Sequence, residues 1–173
     1  MLVIGLTGSI GTGKSEVSGI LRDLGAVVLD ADKVGHEAYK PNSEVWRKIV
    51  AIFGDGVLQS NEEIDRKALG SIVFGNPEAR MKLNSIMHPH MANIIENRLV
   101  EFRDQHVKVV VLEAALLLEA GWQYLVDEIW TTTAPEELVI DRVRVRSDLP
   151  TSGVLSRIRA QMSIADRVIH SDV

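Results

Sequence analysis

The chain has 173 residues, of which 46% are hydrophobic, and its formal net charge is -5. This length suits one well-packed domain with room for inserted lobes, and the acidic balance argues against a general nucleic-acid surface, because such surfaces neutralise phosphates with many basic groups. There is no cysteine, which excludes disulfides and fits a reducing, cytoplasmic setting, or a mitochondrial one in a eukaryote. The longest apolar stretch is interrupted by Lys108 and Glu113, so we expect no membrane span.

A phosphate-binding loop is the first strong signal along the chain. Eight residues between an apolar run and a helical pattern have the spacing G-x-x-x-x-G-K-[ST]: Gly8, Ser9, Ile10, Gly11, Thr12, Gly13, Lys14 and Ser15. The glycines let successive N–H groups point at one anion, and the following helix adds the positive end of its dipole. Lys14 would meet the β- and γ-phosphates, and Ser15 would offer a hydroxyl to Mg²⁺. The spacing favours a nucleoside-triphosphate site over a functionless glycine-rich turn.

Five buried strands are predicted, and together they indicate an α/β fold with a five-stranded parallel sheet. They lie at 2–6, 26–30, 107–112, 129–133 and 165–170. The second strand ends in Asp30-Ala31-Asp32, at the sheet edge where open α/β sheets bind ligands. An aspartate there can accept a proton from an attacking hydroxyl, hold Mg²⁺ through water or cap the next helix. The residues alone leave these three roles open.

The long segment from about 33 to 104 has a helical pattern and is far longer than an ordinary connection between strands. We therefore expect a helical lobe that holds the second substrate. His88-Pro89-His90 is its conspicuous cluster. We favour a histidine that precedes a helix-starting proline and hydrogen-bonds the lobe or the substrate. A metal pair is disfavoured because no partner ligand stands at a recognised zinc spacing.

Two features later in the chain point to the same chemistry. Glu113 stands at the tip of the third strand, where an acid that acts around Mg²⁺ belongs. Arg142 and Arg146 are four residues apart on one helix face, and we interpret them as arginines of a mobile lid rather than as a solvated face. The expected divisions are a core (1–32, 107–140 and 164–173), a substrate lobe (about 33–104) and a lid (about 141–163).

Several short stretches spread over essentially the whole chain match the pattern of one kinase family. They are residues 5–15, Leu24-Gly25-Ala26, Asp30-Ala31-Asp32, Ile64-Asp65-Arg66, Val73-Phe74, His88-Pro89, 116–122, Arg157-Ile158 and Ala160-Gln161-Met162. Together they resemble the dephospho-coenzyme A kinase family, and residues 117–122 with the C-terminal tail most resemble the kinase domain of bifunctional coenzyme A synthase. The resemblance implies a P-loop kinase fold with a five-stranded core, a lobe and a lid. It also implies transfer of the ATP γ-phosphate to the 3′-hydroxyl of dephospho-coenzyme A, the last step of coenzyme A biosynthesis, and it leaves open fusion to, or pairing with, phosphopantetheine adenylyltransferase.

Residue roles carry over by position from this resemblance. Asp32 resembles the family's catalytic base, and it would act with Lys14 and Arg142. Asp32 and His88 would contact dephospho-coenzyme A. The triphosphate would be held by residues 8–16 and by the lid arginines Arg142 and Arg146.

Two residues depart from the family pattern. Glu113 stands where an aspartate is usual, so it must reach Mg²⁺ with one more methylene, and Glu16 replaces a hydroxyl residue beside the triphosphate. Two rival functions remain open at this point. One is another small-metabolite P-loop kinase, acting for example on a nucleoside monophosphate or shikimate, and the other is a non-catalytic nucleotide-binding module.

Overall fold

The computed structural model describes residues 1–147 and 150–173. Asp148 and Leu149, which fall inside the predicted lid, lie outside the described residues. The chain divides into two compact units, one made of Met1–Asp30 with Leu99–Val173 and the other of Ala31–Arg98. Over the described ranges, no helix is both long and apolar enough to cross a membrane.

The strands and helices follow one another in a mixed α/β order. The strands are β1 (Leu2–Gly8), β2 (Val27–Asp30), β3 (Val109–Glu113) and β4 (Glu128–Thr132). The α-helices are α1 (Lys14–Asp23), α2 (Ala31–Ala38), α3 (Glu44–Phe53), α4 (Arg66–Phe74), α5 (Pro77–Asp104), α6 (Glu136–Ser147), α7 (Thr151–Arg159) and α8 (Ile164–Ile169).

The first unit is built on a parallel sheet with the strand order β2-β3-β1-β4. Its central strands are apolar on both faces, and residues such as Ile4, Leu6, Val111 and Leu112 are almost fully buried, as expected for a parallel sheet covered on both sides. The register pairs Asp30 with Glu113 and Gly8 with Thr132. The carboxyl ends of the strands therefore form one edge, where the phosphate loop begins.

The prediction of a fifth strand at 165–170 was wrong, and the sheet has four strands among the described residues. This segment is helix α8, because the Ser163 hydroxyl accepts the Asp166 N–H at 3.1 Å and caps the first turn. The chain reaches the sheet only after this helix. Asp172 N–H donates to Ile129 O, and Thr131 N–H donates to Val173 O, each at 2.8 Å. The last residues thus run beside β4.

The second unit is helical and has a core of its own. Seven buried side chains from its helices and the turn between α3 and α4 form that core: Ala38, Val45, Ile49, Val57, Ile64, Leu69 and Met87. The Ser43 hydroxyl accepts the Trp46 N–H at 3.0 Å and so caps α3. Asp65 caps α4 by accepting the N–H groups of Lys67 and Ala68 at 2.9 and 3.0 Å.

The prediction that Pro89 starts a helix was also wrong. Helix α5 begins at Pro77, where Asn76 Oδ1 accepts the N–H groups of Glu78 and Ala79 at 3.0 and 3.1 Å. Pro89 lies in its interior. A proline there removes one N–H from the helix, and burial of Met87 and Ala92 on either side holds the helix in place. His88 is therefore a half-buried residue in the middle of a long helix.

Candidate active site

The phosphate loop joins β1 to α1 and bends at three glycines. Gly8, Gly11 and Gly13 have φ angles of 146°, 77° and 100°, in the region that residues with a Cβ rarely adopt. Gly13 takes the left-handed conformation at the N-cap of α1. The N–H groups that begin this helix are therefore available to an anion at the loop.

Close packing fixes the loop as firmly as its backbone angles do. A Cβ atom on Gly8 would lie 2.3 Å from Thr132 Oγ1 and 2.7 Å from Thr132 O, and one on Gly11 would lie 2.8 Å from Val143 Cγ2. Thr12 Oγ1 lies 2.7 Å from Thr132 Oγ1 and donates to Ser9 O at 2.8 Å. The end of β4 and helix α6 therefore leave space for glycine alone at positions 8 and 11.

Two cations contact carbonyl groups of this loop. Lys14 Nζ donates to Gly8 O at 2.8 Å and to Ser9 O at 3.1 Å. Arg142 Nη1 donates to Gly11 O over a longer distance, 3.4 Å. The positive charges of both side chains are thus held against the loop, where a polyphosphate would need neutralisation.

Helix α6 brings Arg142 to the loop. Val139 and Val143 on its inner face form a buried cluster with Val154 of α7, and Ile10 of the loop packs against this cluster. Arg146 lies one turn further along the same helix and is exposed. The structure therefore places Arg142 in contact with the loop and leaves Arg146 on the helix surface. Glu16 is likewise exposed, in the first turn of α1.

Ser15 and Glu113 form a pair of oxygen ligands beside the loop. Ser15 Oγ donates to Glu113 Oε1 at 3.0 Å, so the longer glutamate does reach the loop. Hydroxyl and carboxylate oxygens are ligands that Mg²⁺ accepts, and this ion usually takes only one or two protein ligands together with phosphates and waters. In residues 1–147 and 150–173 no cluster of three or more histidines, cysteines or acids could hold a metal by itself, and such a cluster is not needed for this kind of magnesium site. The donor set fits Mg²⁺.

The predicted acceptor-side residues belong to the second unit. Asp32 is exposed in the first turn of α2, two residues after Asp30 ends β2. Asp30 directly precedes the first residue of α2 and so stands at the N-cap position of that helix, whereas Asp32 lies inside its first turn. His88 lies in α5.

The second unit also contains a cavity of about 410 Å³ that the sequence did not predict. Its lining is His36, Tyr39, Lys40, Pro41, Gln59, Glu63, Ile64, Asp65, Arg66 and Lys67. The Arg66 guanidinium carbon lies 5.9 Å from the centre of the Tyr39 ring. Burial raises the pKa of Tyr39 above its usual 10.0, and the nearby charge of Arg66 partly opposes this rise. The lining carries three cations, Lys40, Arg66 and Lys67, and two carboxylates, Glu63 and Asp65, of which Asp65 also caps α4.

Two residues near the loop were not predicted as site residues. Gln161 Oε1 accepts the Ile10 N–H at 2.9 Å. Arg167 is fully buried, and it donates from Nη1 to Thr7 Oγ1 at 2.9 Å and from Nη2 to Glu119 Oε1 at 2.5 Å. Gln161 and Glu119 belong to stretches that carried the family resemblance, but no spacing rule connects partners 151 and 160 residues apart.

The fold and the loop together define a nucleotide-using P-loop kinase. A family model described as dephospho-CoA kinase matches residues 2–173. The chain therefore belongs to the dephospho-CoA kinase family, which phosphorylates dephospho-coenzyme A in the last step of coenzyme A biosynthesis.

Individual relatives agree with this membership. The dephospho-CoA kinase of Geobacter sulfurreducens is 46% identical over 173 residues, covering 100% of this chain and 88% of the relative. A crystal structure from Thermus thermophilus matches with a TM-score of 0.78 and 32% identity, over 98% of this chain and 85% of that one. The dephospho-CoA kinase structure from Campylobacter jejuni matches with a TM-score of 0.68 and 30% identity, over the same shares of both chains.

Proposed function

We propose that this chain uses Mg²⁺-bound ATP to phosphorylate the ribose 3′-hydroxyl of dephospho-coenzyme A, with the residue roles set out below. The observation that carries the proposal is the assembly of Lys14, Arg142, Ser15 and Glu113 around one phosphate loop. The membership of the dephospho-CoA kinase family supplies the acceptor.

The residues that contact ATP would position its phosphates and neutralise their charge. Phosphoryl transfer passes through a loose transition state whose charge spreads over the phosphoryl oxygens. The backbone of residues 8–16, apart from the Ile10 N–H that donates to Gln161, would hold the triphosphate, and Lys14 and Arg142 would balance its charge. Arg146 would join them from the same helix face as the lid closes, which is the role we propose for the segment 141–163.

Ser15 and Glu113 are the residues that would hold Mg²⁺. The ion, when bound, supplies positive charge to the β- and γ-phosphate oxygens. Glu113 also accepts a hydrogen bond from the Ser15 hydroxyl. The lone pairs of the Ser15 oxygen are therefore free to act as ligands. One acid thereby orients its partner ligand.

On the acceptor side, we propose Asp32 as the base. The O–H bond of the 3′-hydroxyl breaks and its proton passes to the Asp32 carboxylate, an O–P bond to the γ-phosphorus forms, and the bond from that phosphorus to the ADP oxygen breaks. Asp32 is exposed at the start of α2, so a hydroxyl group can approach it. His88 would contribute to acceptor binding from α5.

The cavity of the second unit has three cationic side chains that could bind the diphosphate of dephospho-coenzyme A. Lys40, Arg66 and Lys67 line it, and arginine and lysine are the side chains that bind phosphate oxygens most strongly. We propose that this cavity anchors the diphosphate, as part of the substrate lobe 33–104.

A panel of acceptors tests the proposed function. The purified chain is incubated with MgATP and dephospho-coenzyme A, a nucleoside monophosphate or shikimate, and the product is identified by mass and by phosphorus NMR. We expect a 3′-phosphorylated product from dephospho-coenzyme A only. Preference for either other acceptor would support a different small-metabolite kinase, and ATP binding without transfer would support a nucleotide-binding module. A cytoplasmic setting, and fusion to or pairing with phosphopantetheine adenylyltransferase, stay predictions.

A further inference from the structure

The side chain of Gln161 meets the phosphate loop through a single defined contact. The Ile10 N–H donates to Gln161 Oε1 at 2.9 Å. Because a backbone N–H can only donate, the oxygen of this carboxamide must face Ile10 and the nitrogen must point the other way. The orientation of the amide is thus determined by chemistry.

The backbone that carries Gln161 is anchored on both sides. Gln161 N–H donates to Ile158 O at 3.1 Å, which ties it to the end of α7. The next residue, Met162, donates its N–H to Glu119 Oε1 at 3.1 Å. The same carboxylate oxygen accepts from the buried Arg167. The Gln161 side chain therefore extends to the loop from a fixed position.

The side chain of Ile10 also fixes the position of the loop, by packing against helices α6 and α7. The Ile10 side chain packs against the cluster of Val139, Val143 and Val154, which joins α6 to α7. Ile10 precedes the glycine whose carbonyl contacts Arg142. Gln161 and Arg142 thus both contact the first part of the loop, at Ile10 and Gly11, before the N-cap of α1.

The amino group of Gln161 has two N–H donors near this part of the loop. None of them is used by a hydrogen bond to residues 1–147 or 150–173. The amino nitrogen is bonded to the same carbon as Oε1, so its donors lie near the loop but on the side of the carboxamide that faces away from the Ile10 N–H. Gln161 is half-buried, which strengthens a hydrogen bond to a charged partner relative to bulk water.

We propose that Gln161 is a nucleotide-binding residue whose amino group donates to the terminal phosphate of ATP while Ile10 holds its oxygen. The α- and β-phosphates would bind the N–H groups at the start of α1. The first part of the loop, at Ile10 and Gly11, is then left for the terminal phosphate. This inference rests on the proposed function, because it takes ATP as the phosphoryl donor. Gln161 would add neutral donors to the charges of Lys14 and Arg142.

Replacing Gln161 by glutamate separates donation to phosphate from anchoring of the loop. A glutamate keeps an oxygen that can accept the Ile10 N–H, but when ionised it has no donor and it repels phosphate. In Gln161→Glu we expect the affinity for a non-hydrolysable ATP analogue, measured by calorimetry, to fall about 10- to 100-fold, the range for a lost hydrogen bond to a charged group. We expect the affinity for ADP to change less than about threefold, because ADP lacks the terminal phosphate.

Gln105→Glu is the matched control, since Gln105 is exposed after α5 and the substitution changes the net charge equally. Thermal unfolding of both variants reports whether the fold is intact. Wild-type affinity for the ATP analogue in a folded Gln161→Glu protein, or an equal loss for ADP, would overturn the inference and leave Gln161 as an anchor of the loop. Failure of the wild-type protein to transfer phosphate would overturn the proposed function instead.

Discussion

Ser15 and Glu113 are 98 residues apart in the chain, and the Ser15 hydroxyl donates a hydrogen bond of 3.0 Å to Glu113. Glu113 ends β3, the strand paired with β1, and Leu6 is its partner in the register. Ser15 follows the loop that β1 leads into. The parallel pairing of two strands thus places a carboxylate next to the hydroxyl of the phosphate loop.

This contact predicts a dependence on Mg²⁺ that changes with residue 113. Glu113→Gln keeps the size of the side chain and removes its charge, so we expect the Mg²⁺ concentration for half-maximal activity to rise at least tenfold. Titration of Mg²⁺ at saturating ATP measures it. Glu136→Gln is an equal change of charge at an exposed residue of α6 and should leave the titration unchanged. An unchanged titration in Glu113→Gln would remove Glu113 from the metal site.

Substitution of charged residues around the loop should cost more than substitution of the base. We expect Lys14→Ala and Arg142→Ala to lower kcat at least as much as Asp32→Asn, because arginines that act in the transition state supply about 10³- to 10⁵-fold and general bases about 10²- to 10⁴-fold. Steady-state kinetics with ATP and dephospho-coenzyme A measure this order. Arg144→Ala is the control, since Arg144 is exposed on α6 two residues away. Undiminished turnover in Asp32→Asn would show that Asp32 is not the base.

Gly8 should tolerate a side chain far less well than Gly25, which follows α1. Gly8 and Gly25 both have positive φ angles, but a Cβ atom at Gly8 would meet the backbone of Thr132, whereas no atom lies within 4 Å at Gly25. Gly25→Ala should cost about 1–2 kcal/mol of backbone strain, and Gly8→Ala clearly more. Chemical denaturation gives both values. Equal costs would show that the clash with Thr132 is relieved without penalty.

The buried Arg167 predicts an unusual cost for losing a single acid. Glu119→Gln would leave the fully buried guanidinium without its countercharge, and breaking such a pair typically costs about 3–5 kcal/mol. For a chain of this size we expect the melting temperature to fall by roughly 6 °C or more. Glu78→Gln is the control, because Glu78 pairs with Lys82 on an exposed helix face and its loss should change little. A similar melting temperature in the two variants would contradict the prediction.

Tyr39 should titrate above the usual tyrosine range. Burial disfavours its phenolate, and Arg66 favours it, so Arg66→Met should raise the pKa of Tyr39 further. In a Tyr124→Phe background Tyr39 is the one remaining tyrosine, and phenolate absorbance follows it alone. Because the folded state holds this proton more tightly, its contribution to stability is complete below pH 10 and is lost as the pH rises through the folded-state pKa. A lower pKa in Arg66→Met would contradict the proposed contact.

Elements whose signals are local in the chain could be predicted from the sequence. The loop from Gly8 to Ser15 depends on glycine angles and on a helix that follows at once, so its spacing is sufficient to identify it. Strands β1, β2 and β3 contain continuous apolar runs, whereas β4 has two apolar residues among polar ones. The strand predicted at 165–170 was wrong, because a short apolar stretch is compatible with a strand or a helix, and the Ser163 cap favours the helix that is observed at 164–169.

The amino-acid sequence by itself determined a phosphate loop, a parallel α/β core and a resemblance to one kinase family, since each of these is carried by short stretches of neighbouring residues. Only the tertiary structure decided that Glu113 reaches Ser15, that Gln161 accepts the Ile10 N–H and that Arg167 is buried against Glu119. It also showed that residues 164–169 form a helix and not a strand. The contacts of Glu113, Gln161 and Arg167 join residues far apart in the chain. Their geometry depends on strand order and helix packing, which no spacing along the chain encodes.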